Sequence, residues 1–295
     1  MKRLSSVERA IQDVPFFAER YTNFIKRLEN EGASSSTVKN YGYNLALICL
    51  EYGILPEKMT EDQYVDYYNK LLKKKASGSH MLHAVYCVRK YFHLYGWKCP
   101  LTANPVIPAK RTLPVALSQQ EVQELLPACI DIINKALLGL FVDTGMRKCE
   151  MLNLELRDLD FDRNTIHIRE GKRRKDRYVP FTQAMQKIIR AYLKHYQPKN
   201  YLFERKPGIP MCSYWPAKVL SVVVARTNII KHVHCHMLRH TYATMQLEMG
   251  VDIRHIQLWL GHKRLETTAI YLNIANTNFD QSWTGPLDRL YPPKK

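Results

Sequence analysis

Three prolines, Pro105, Pro108 and Pro114, fall within ten residues near the first third of the 295-residue chain. Proline fixes φ, lacks a backbone donor and drives the preceding residue out of the helical region, so neither a helix nor an inner strand runs through such a stretch. Lys110 and Arg111 between the prolines add charge, and the segment predicts an extended connector over residues 105–114. The chain therefore divides into residues 1–104 and 115–295, each long enough to bury a core of its own.

Residues before the connector carry a helical period. Phe17, Tyr21, Phe24, Ile25 and Leu28 recur on one face, Gly32 follows as a stop, and Ser34, Ser35 and Ser36 can cap a second helix with Val38, Tyr41, Leu45 and Ile48 on one side and Gly53 near its end. Thr60 and Gln63 have the spacing of a capping box and open a third helix carrying Tyr64, Tyr67, Tyr68, Leu71 and Leu72, closed by Lys73, Lys74 and Lys75. A fourth helix, with Leu82, Val85, Arg89 and Phe92, follows Ser77, Gly78 and Ser79. Its first unit thus reads as all-helical.

Past the connector, Ser118 and Glu121 repeat the capping-box spacing, residues 130–142 predict a buried helix stopped by Gly145, and residues 147–154 predict a short one. Alternation in Ile166, His167 and Ile168, a polar run from Gly171 to Asp176, and a return through Tyr178 and Val179 predict a hairpin of a small antiparallel sheet. The remainder reads as mostly helical. Fold class is accordingly mainly α with a small antiparallel β-sheet: a helical unit plus an α+β unit.

Lysine and arginine number 44 against 27 acidic residues, a formal charge of +17, which favours a polyanionic partner. No run of about 18 apolar residues is present and the first residues are polar, so neither a membrane span nor a leader is predicted and a cytoplasmic protein is expected. Seven scattered cysteines, several within apolar helical patterns, argue against a disulfide framework. His232, His234 and His236 would share one face of an extended segment, but no second ligand cluster follows at a metal-binding spacing, and no metal is predicted.

Five blocks stand in one order: Thr144-Gly145-Met146-Arg147 with Glu150; Lys172 in the hairpin; His236-Met237-Leu238-Arg239-His240; Leu260-Gly261-His262; and Thr267-Thr268-Ala269-Ile270-Tyr271. This order resembles the tyrosine recombinase (phage integrase) family, over residues 115–275 by motif and more loosely over the helical first unit, which looks like the family's core DNA-binding domain. The resemblance implies a catalytic domain over 115–295 with a C-terminal tail. It implies Arg147 and Arg239 as catalytic arginines, His236 and His262 as active-site histidines, Lys172 as hairpin lysine, Glu150 as a supporting acid and Tyr271 as nucleophile. Double-stranded DNA as substrate, a homotetramer on DNA, association with the nucleoid and no cofactor follow from the same resemblance.

These residue types suit the chemistry. A phosphodiester repels nucleophiles and its pentacoordinate transition state gathers negative charge, which fixed cations must meet. Arginine donates two parallel hydrogen bonds to phosphate and keeps its charge. Tyrosine, with a free pKa of about 10, needs a base or nearby cations to act as nucleophile, and the resemblance gives the base role to His236. The leaving 5′-oxygen needs a proton, a role the family pattern gives to Lys172, although Lys175 lies in the same basic loop and either amine could serve. His262, nine residues before Tyr271 and just after a helix, would hydrogen-bond a non-bridging oxygen. Tyr242, on an apolar helix face, reads as packing rather than as a rival nucleophile. Nothing before the helical unit leaves room for a separate arm-binding domain, which favours a simple two-domain recombinase, and a mobile-element integrase is the expected role. An Xer-like chromosome-dimer resolvase is the alternative, followed by a type IB topoisomerase and a silent DNA-binding regulator. Binding through a two-domain clamp is expected to weaken steeply with salt.

Overall fold

The computed structural model describes residues 4–101, 113–169 and 176–275. Its contacts fall into two units, Met1–Arg111 and Thr112–Lys295. Nearly all of the proline-rich connector lies outside the described residues, as does the C-terminal tail after residue 275.

The first unit holds α1 (Ser6–Asp13), α2 (Phe17–Asn30), α3 (Ser35–Tyr52), α4 (Glu61–Lys73) and α5 (Gly78–Tyr95). Local chemistry sets where these helices begin. Ser34 accepts from the Thr37 amide at 3.2 Å and Ser77 from that of His80 at 3.2 Å. The box at Thr60 closes both ways, 2.9 and 3.3 Å. Each such cap contributes about 1 kcal/mol. α3 ends where Gly53 takes φ +69°, a conformation that costs glycine nothing. α1 was absent from the sequence reading: its eight residues bury only Ala10, too little apolar surface to show a period. A capping box between Ser5 and Glu8 nonetheless announces it, and it packs on α3. The core is rich in aromatics, with Phe24 against Tyr41 and Tyr91.

The second unit holds α6 (Gln119–Leu125), α7 (Ile132–Thr144), α8 (Lys148–Leu152), strands β1 (Leu159–Asp160), β2 (Thr165–Ile168) and β3 (Arg177–Pro180), then α9 (Gln183–Tyr196), β4 (Glu204–Lys206), β5 (Ile209–Pro210), α10 (Trp215–Val224), α11 (Cys235–Glu248), α12 (Ile253–Leu260) and α13 (Glu266–Ala269). α7 is the central helix: Leu137, Leu138, Leu140 and Phe141 are fully buried, and α9, α10 and α11 pack against it. Helix α7 starts two residues later than its apolar run, because Ile130 precedes the turn and stays exposed. The predicted hairpin forms as β2 and β3 with Ile166 opposite Val179, and β1 adds an antiparallel edge. β1 and the separate β4–β5 pair escaped the sequence reading because two or three residues carry no visible alternation.

One further expectation changes. The segment from His232 does not stay extended as far as His236: α11 begins at Cys235, and His234 caps it, its Nδ1 accepting from the Met237 amide at 3.2 Å. That removes the shared face on which a metal reading depended, and among the described residues no group of three His, Cys, Asp or Glu side chains could hold a metal ion. All seven cysteines are free thiols. Among the described residues no helix is long and apolar enough to cross a membrane.

Candidate active site

Two glycines in left-handed conformation bring the polar residues of the second unit together. Gly145, at φ +61°, ends α7 and turns the chain so that Arg147 stands at the start of α8. A Cβ here would run into the Tyr242 ring and come within 2.9 Å of Leu260 Cδ2, so the tight approach of α7, α11 and α12 requires glycine. Gly261, at φ +65°, ends α12 and delivers His262 to the same place, and a Cβ on it would press on the Arg177 guanidinium at 3.2 Å.

Glu150 caps the start of α8 by accepting twice from Arg147. The Arg147 amide donates to Glu150 Oε2 at 2.9 Å and its Nη1 to Oε1 at 2.8 Å, while Nη2 reaches the Gly261 carbonyl at 3.4 Å. On its other side Glu150 is held by Arg177 of β3, which donates to both carboxylate oxygens at 3.1 and 2.7 Å and through Nε to the Trp259 carbonyl at 2.7 Å. Glu150 is thus a buried carboxylate between two guanidiniums. Burial pushes its pKa up, but the hydrogen bonds and charge of Arg177, with those of Arg147, outweigh it and hold the group at about 2.

Arg239, on α11, is 1% exposed. Its Nη1 donates to the Gly145 carbonyl at 2.8 Å and its Nη2 to the Leu260 carbonyl at 2.5 Å and to His262 Nε2 at 3.0 Å. Since a guanidinium only donates, His262 Nε2 accepts and the ring proton is on Nδ1, which donates to Thr268 Oγ1 at 2.9 Å. Burial first, then Arg147, lowers the Arg239 pKa to about 10, still far above neutrality. Its Nε is a buried donor without a hydrogen-bond partner among the described residues.

Tyr271 lies in a 3-10 turn (Ile270–Asn273) that continues α13 and is 2% exposed. Its hydroxyl pairs with His240 Nδ1 at 3.0 Å, and the His262 ring lies nearly parallel to its own at 6.5 Å. Burial raises the phenol's pKa, and the charges of Arg239 and Arg147 oppose that rise. All three histidines are shifted down, first by burial and then by neighbouring basic groups: His262 to about 3, with Arg239 next in strength, His240 to about 4, with the His236 ring next, and His236 in the same direction. The imidazoles are neutral at pH 7 while the guanidiniums keep their charge.

Six of the seven residues singled out in the sequence, Arg147, Glu150, His236, Arg239, His262 and Tyr271, therefore gather in one region. The seventh, Lys172, and its alternative Lys175 lie outside the described residues. The phenol's hydrogen bond goes not to His236 but to His240, one turn along α11, with the His236 ring 4.5 Å from that of His240. Tyr242 is packed beneath Gly145. His240, Arg177 and Thr268 were missed as site residues. Only the i, i+4 spacing of His236 and His240 could have pointed to one of them.

Residues 116–278 match the model of the phage integrase family. The chain belongs to that family. It is similar to tyrosine recombinase XerA of Pyrococcus horikoshii, 31% identical over 263 residues, which cover 88% of this chain and 90% of the relative. Among solved structures it resembles a XerA recombinase, TM-score 0.52 at 27% identity over 94% of this chain and 99% of the other. The integrase of transposon Tn1549, solved with circular intermediate DNA, shares the fold with a TM-score of 0.67 at 17% identity, covering 85% and 94%. As a phage-integrase-family member the protein is a tyrosine recombinase, an enzyme that cleaves and rejoins DNA.

Proposed function

We propose that this recombinase breaks DNA through Tyr271 and serves site-specific exchange for a mobile element. The Tyr271 oxygen attacks phosphorus, the bond from phosphorus to the deoxyribose 5′-oxygen breaks, and the 5′-oxygen takes its proton from Lys172. The phenolic proton passes to a histidine of α11, His236 in the family pattern. Rejoining reverses each transfer, so the phosphotyrosine bond conserves the energy of the broken linkage. Arg147 and Arg239 bind the non-bridging oxygens, with His262 beside them, and Glu150 orients Arg147. Swapping partners between two DNA sites in a tetramer, through a Holliday junction, turns cleavage into recombination.

The observation that carries this reading is the gathering of Arg147, Arg239, His262 and Tyr271, scattered over more than a hundred residues of sequence, around one buried phenol whose ionisation two guanidiniums favour. The helical first unit, with exposed Lys73, Lys74 and Lys75 ending α4, contributes phosphate contacts, so binding weakens steeply between low and moderate salt. A second reading, Xer-like resolution of chromosome dimers, draws support from the 31% identity to XerA over most of both chains.

The test is covalent trapping. Purified protein is mixed with a nicked, randomised DNA library without metal or nucleotide, and quenched in denaturant. The expected result is a protein–DNA adduct that Tyr271→Phe does not form, with the trapped DNA revealing the site. An adduct with Tyr271→Phe, or none with the unaltered protein, overturns the assignment.

A further inference from the structure

The phenolic proton must go somewhere as the oxygen attacks, and the geometry points to an acceptor other than the one expected from the sequence. We infer that His240, through Nδ1, holds the Tyr271 hydroxyl and receives its proton during cleavage, with His236 standing behind it as support. This inference rests on Tyr271 being the nucleophile.

Three observations carry it. Among the described residues, His240 Nδ1 is the group within hydrogen-bond distance of Tyr271 Oη, at 3.0 Å, and the two rings lie 5.5 Å apart at 51°. His236, one turn earlier on α11, meets the face or edge of His240 rather than the phenol, with centroids 4.5 Å apart at 73°. His262, whose ring is stacked on the phenol at 6.5 Å, has both ring nitrogens engaged, Nε2 by Arg239 and Nδ1 by Thr268, so it has no free lone pair with which to accept the proton. A phenol donating to Nδ1 has its hydrogen pointed away and its lone pairs left for phosphorus.

Without DNA the ring is neutral, because burial, His236, His234 and Arg239 disfavour its charged form. A bound phosphodiester brings negative charge beside Arg239 and Arg147 and relieves that penalty, since an opposite charge within a few ångströms favours the protonated ring. The step balances: the bond from Tyr271 oxygen to phosphorus forms as the O–H proton moves to His240 Nδ1, and rejoining returns that proton as the same bond breaks. The leaving 5′-oxygen draws its proton from a separate donor.

Because the two proton transfers lie on opposite sides of the phosphorus, a substrate with sulfur in place of the bridging 5′-oxygen separates them. A thiolate leaves without needing a proton. The experiment uses a nicked duplex of the sequence trapped by the unaltered protein, with either oxygen or sulfur at the bridge, and follows adduct formation in a single turnover. His240→Leu is expected to slow cleavage about a hundredfold on both substrates, with DNA binding and the thermal midpoint close to the unaltered protein. His240→Asn, whose Oδ1 accepts the phenolic hydrogen bond without taking the proton, is expected to fall between the two. In the free protein, the ¹⁵N shift of His240 Nδ1 should move when Tyr271 is changed to Phe, a readout that holds even if His240→Leu does not fold. A His240→Leu protein that cleaves as fast as the unaltered one overturns the inference, as does full rescue by the sulfur bridge or an Nδ1 shift indifferent to Tyr271→Phe. Failure of the unaltered protein to form an adduct, or an adduct with Tyr271→Phe, instead overturns the choice of nucleophile.

Discussion

Both units bury tyrosines, and their surroundings differ. In the helical unit, Tyr64 donates to the Pro56 carbonyl at 2.7 Å and Tyr91 to Glu57 Oε2 at 2.6 Å. Burial raises both phenols' pKa values; for Tyr91 the neighbouring carboxylate raises it further, against a smaller opposing effect of Arg20. In the second unit, Tyr271 is as deeply buried, yet it pairs with an imidazole and two arginines oppose the cost of its anion. A buried phenol is therefore structural or reactive according to what faces its oxygen: a carbonyl or carboxylate pins the proton, whereas an imidazole can accept it and guanidiniums favour its loss.

The sharpest way to break this comparison is to remove one oxygen from each region. Tyr271→Phe is expected to abolish adduct formation, while Tyr91→Phe keeps it and loses about 1 kcal/mol of stability by taking the phenolic donor from Glu57 Oε2, whose other oxygen keeps Arg20, measured by denaturant unfolding. Next in size, Arg239→Lys should lower the cleavage rate by about 10² to 10³. An ammonium cannot serve the Gly145 and Leu260 carbonyls, His262 and a phosphate oxygen at once. A rate within threefold of the unaltered enzyme would show that Arg239 organises the turn rather than the phosphate.

Gly145→Ala tests the close approach beneath the site. It imposes a left-handed alanine and a clash with Tyr242 and Leu260, and a loss of about 2 kcal/mol or more in unfolding free energy is expected. The corresponding change at Gly53, also left-handed but with open space around it, should cost about 1 kcal/mol, for the backbone alone.

Acidification gives a graded comparison. Glu150 is held at about 2 in the folded chain against an ordinary carboxyl value of 4.5. A depressed folded pKa stabilises above the unfolded value, so this contribution is complete above pH 4.5 and is lost as pH falls toward 2. His240 and His262, held at about 4 and 3, act in the same sense: the unfolded chain takes up their protons below about 6.5 while the folded chain does not. Each contributes a slope of about 1.4 kcal/mol per pH unit between those limits. Stability should fall from pH 6.5 downward, and His262→Asn should flatten the slope between pH 6 and 4. An unchanged slope would mean that His262 is not held neutral.

Much of the helical unit was legible because its signals are local. The caps at Ser34, Thr60 and Ser77 and the stop at Gly53 act within four residues of themselves. α1 was missed because its buried face is a single alanine, and β1, β4 and β5 because strands this short have no period to read. In the site, the spacing and order of Arg147, Glu150, Arg239, His262 and Tyr271 carry the family resemblance in residue types alone. The partners were not legible. Arg177 clasps Glu150 from a strand 27 residues away, and His240 reaches a hydroxyl 31 residues on.

Taken alone, the sequence determined the helical character of the first unit, the hairpin and the residues with the right chemistry for phosphate, because caps, periods and side-chain types are properties of short segments. Only the tertiary structure decided which histidine faces Tyr271, which arginine is sealed behind carbonyls and which carboxylate is clasped from both sides. Those outcomes depend on how α7, α11 and α12 close around two left-handed glycines. That closure brings groups within 3 Å that are 94 residues apart along the chain, a separation no local pattern encodes.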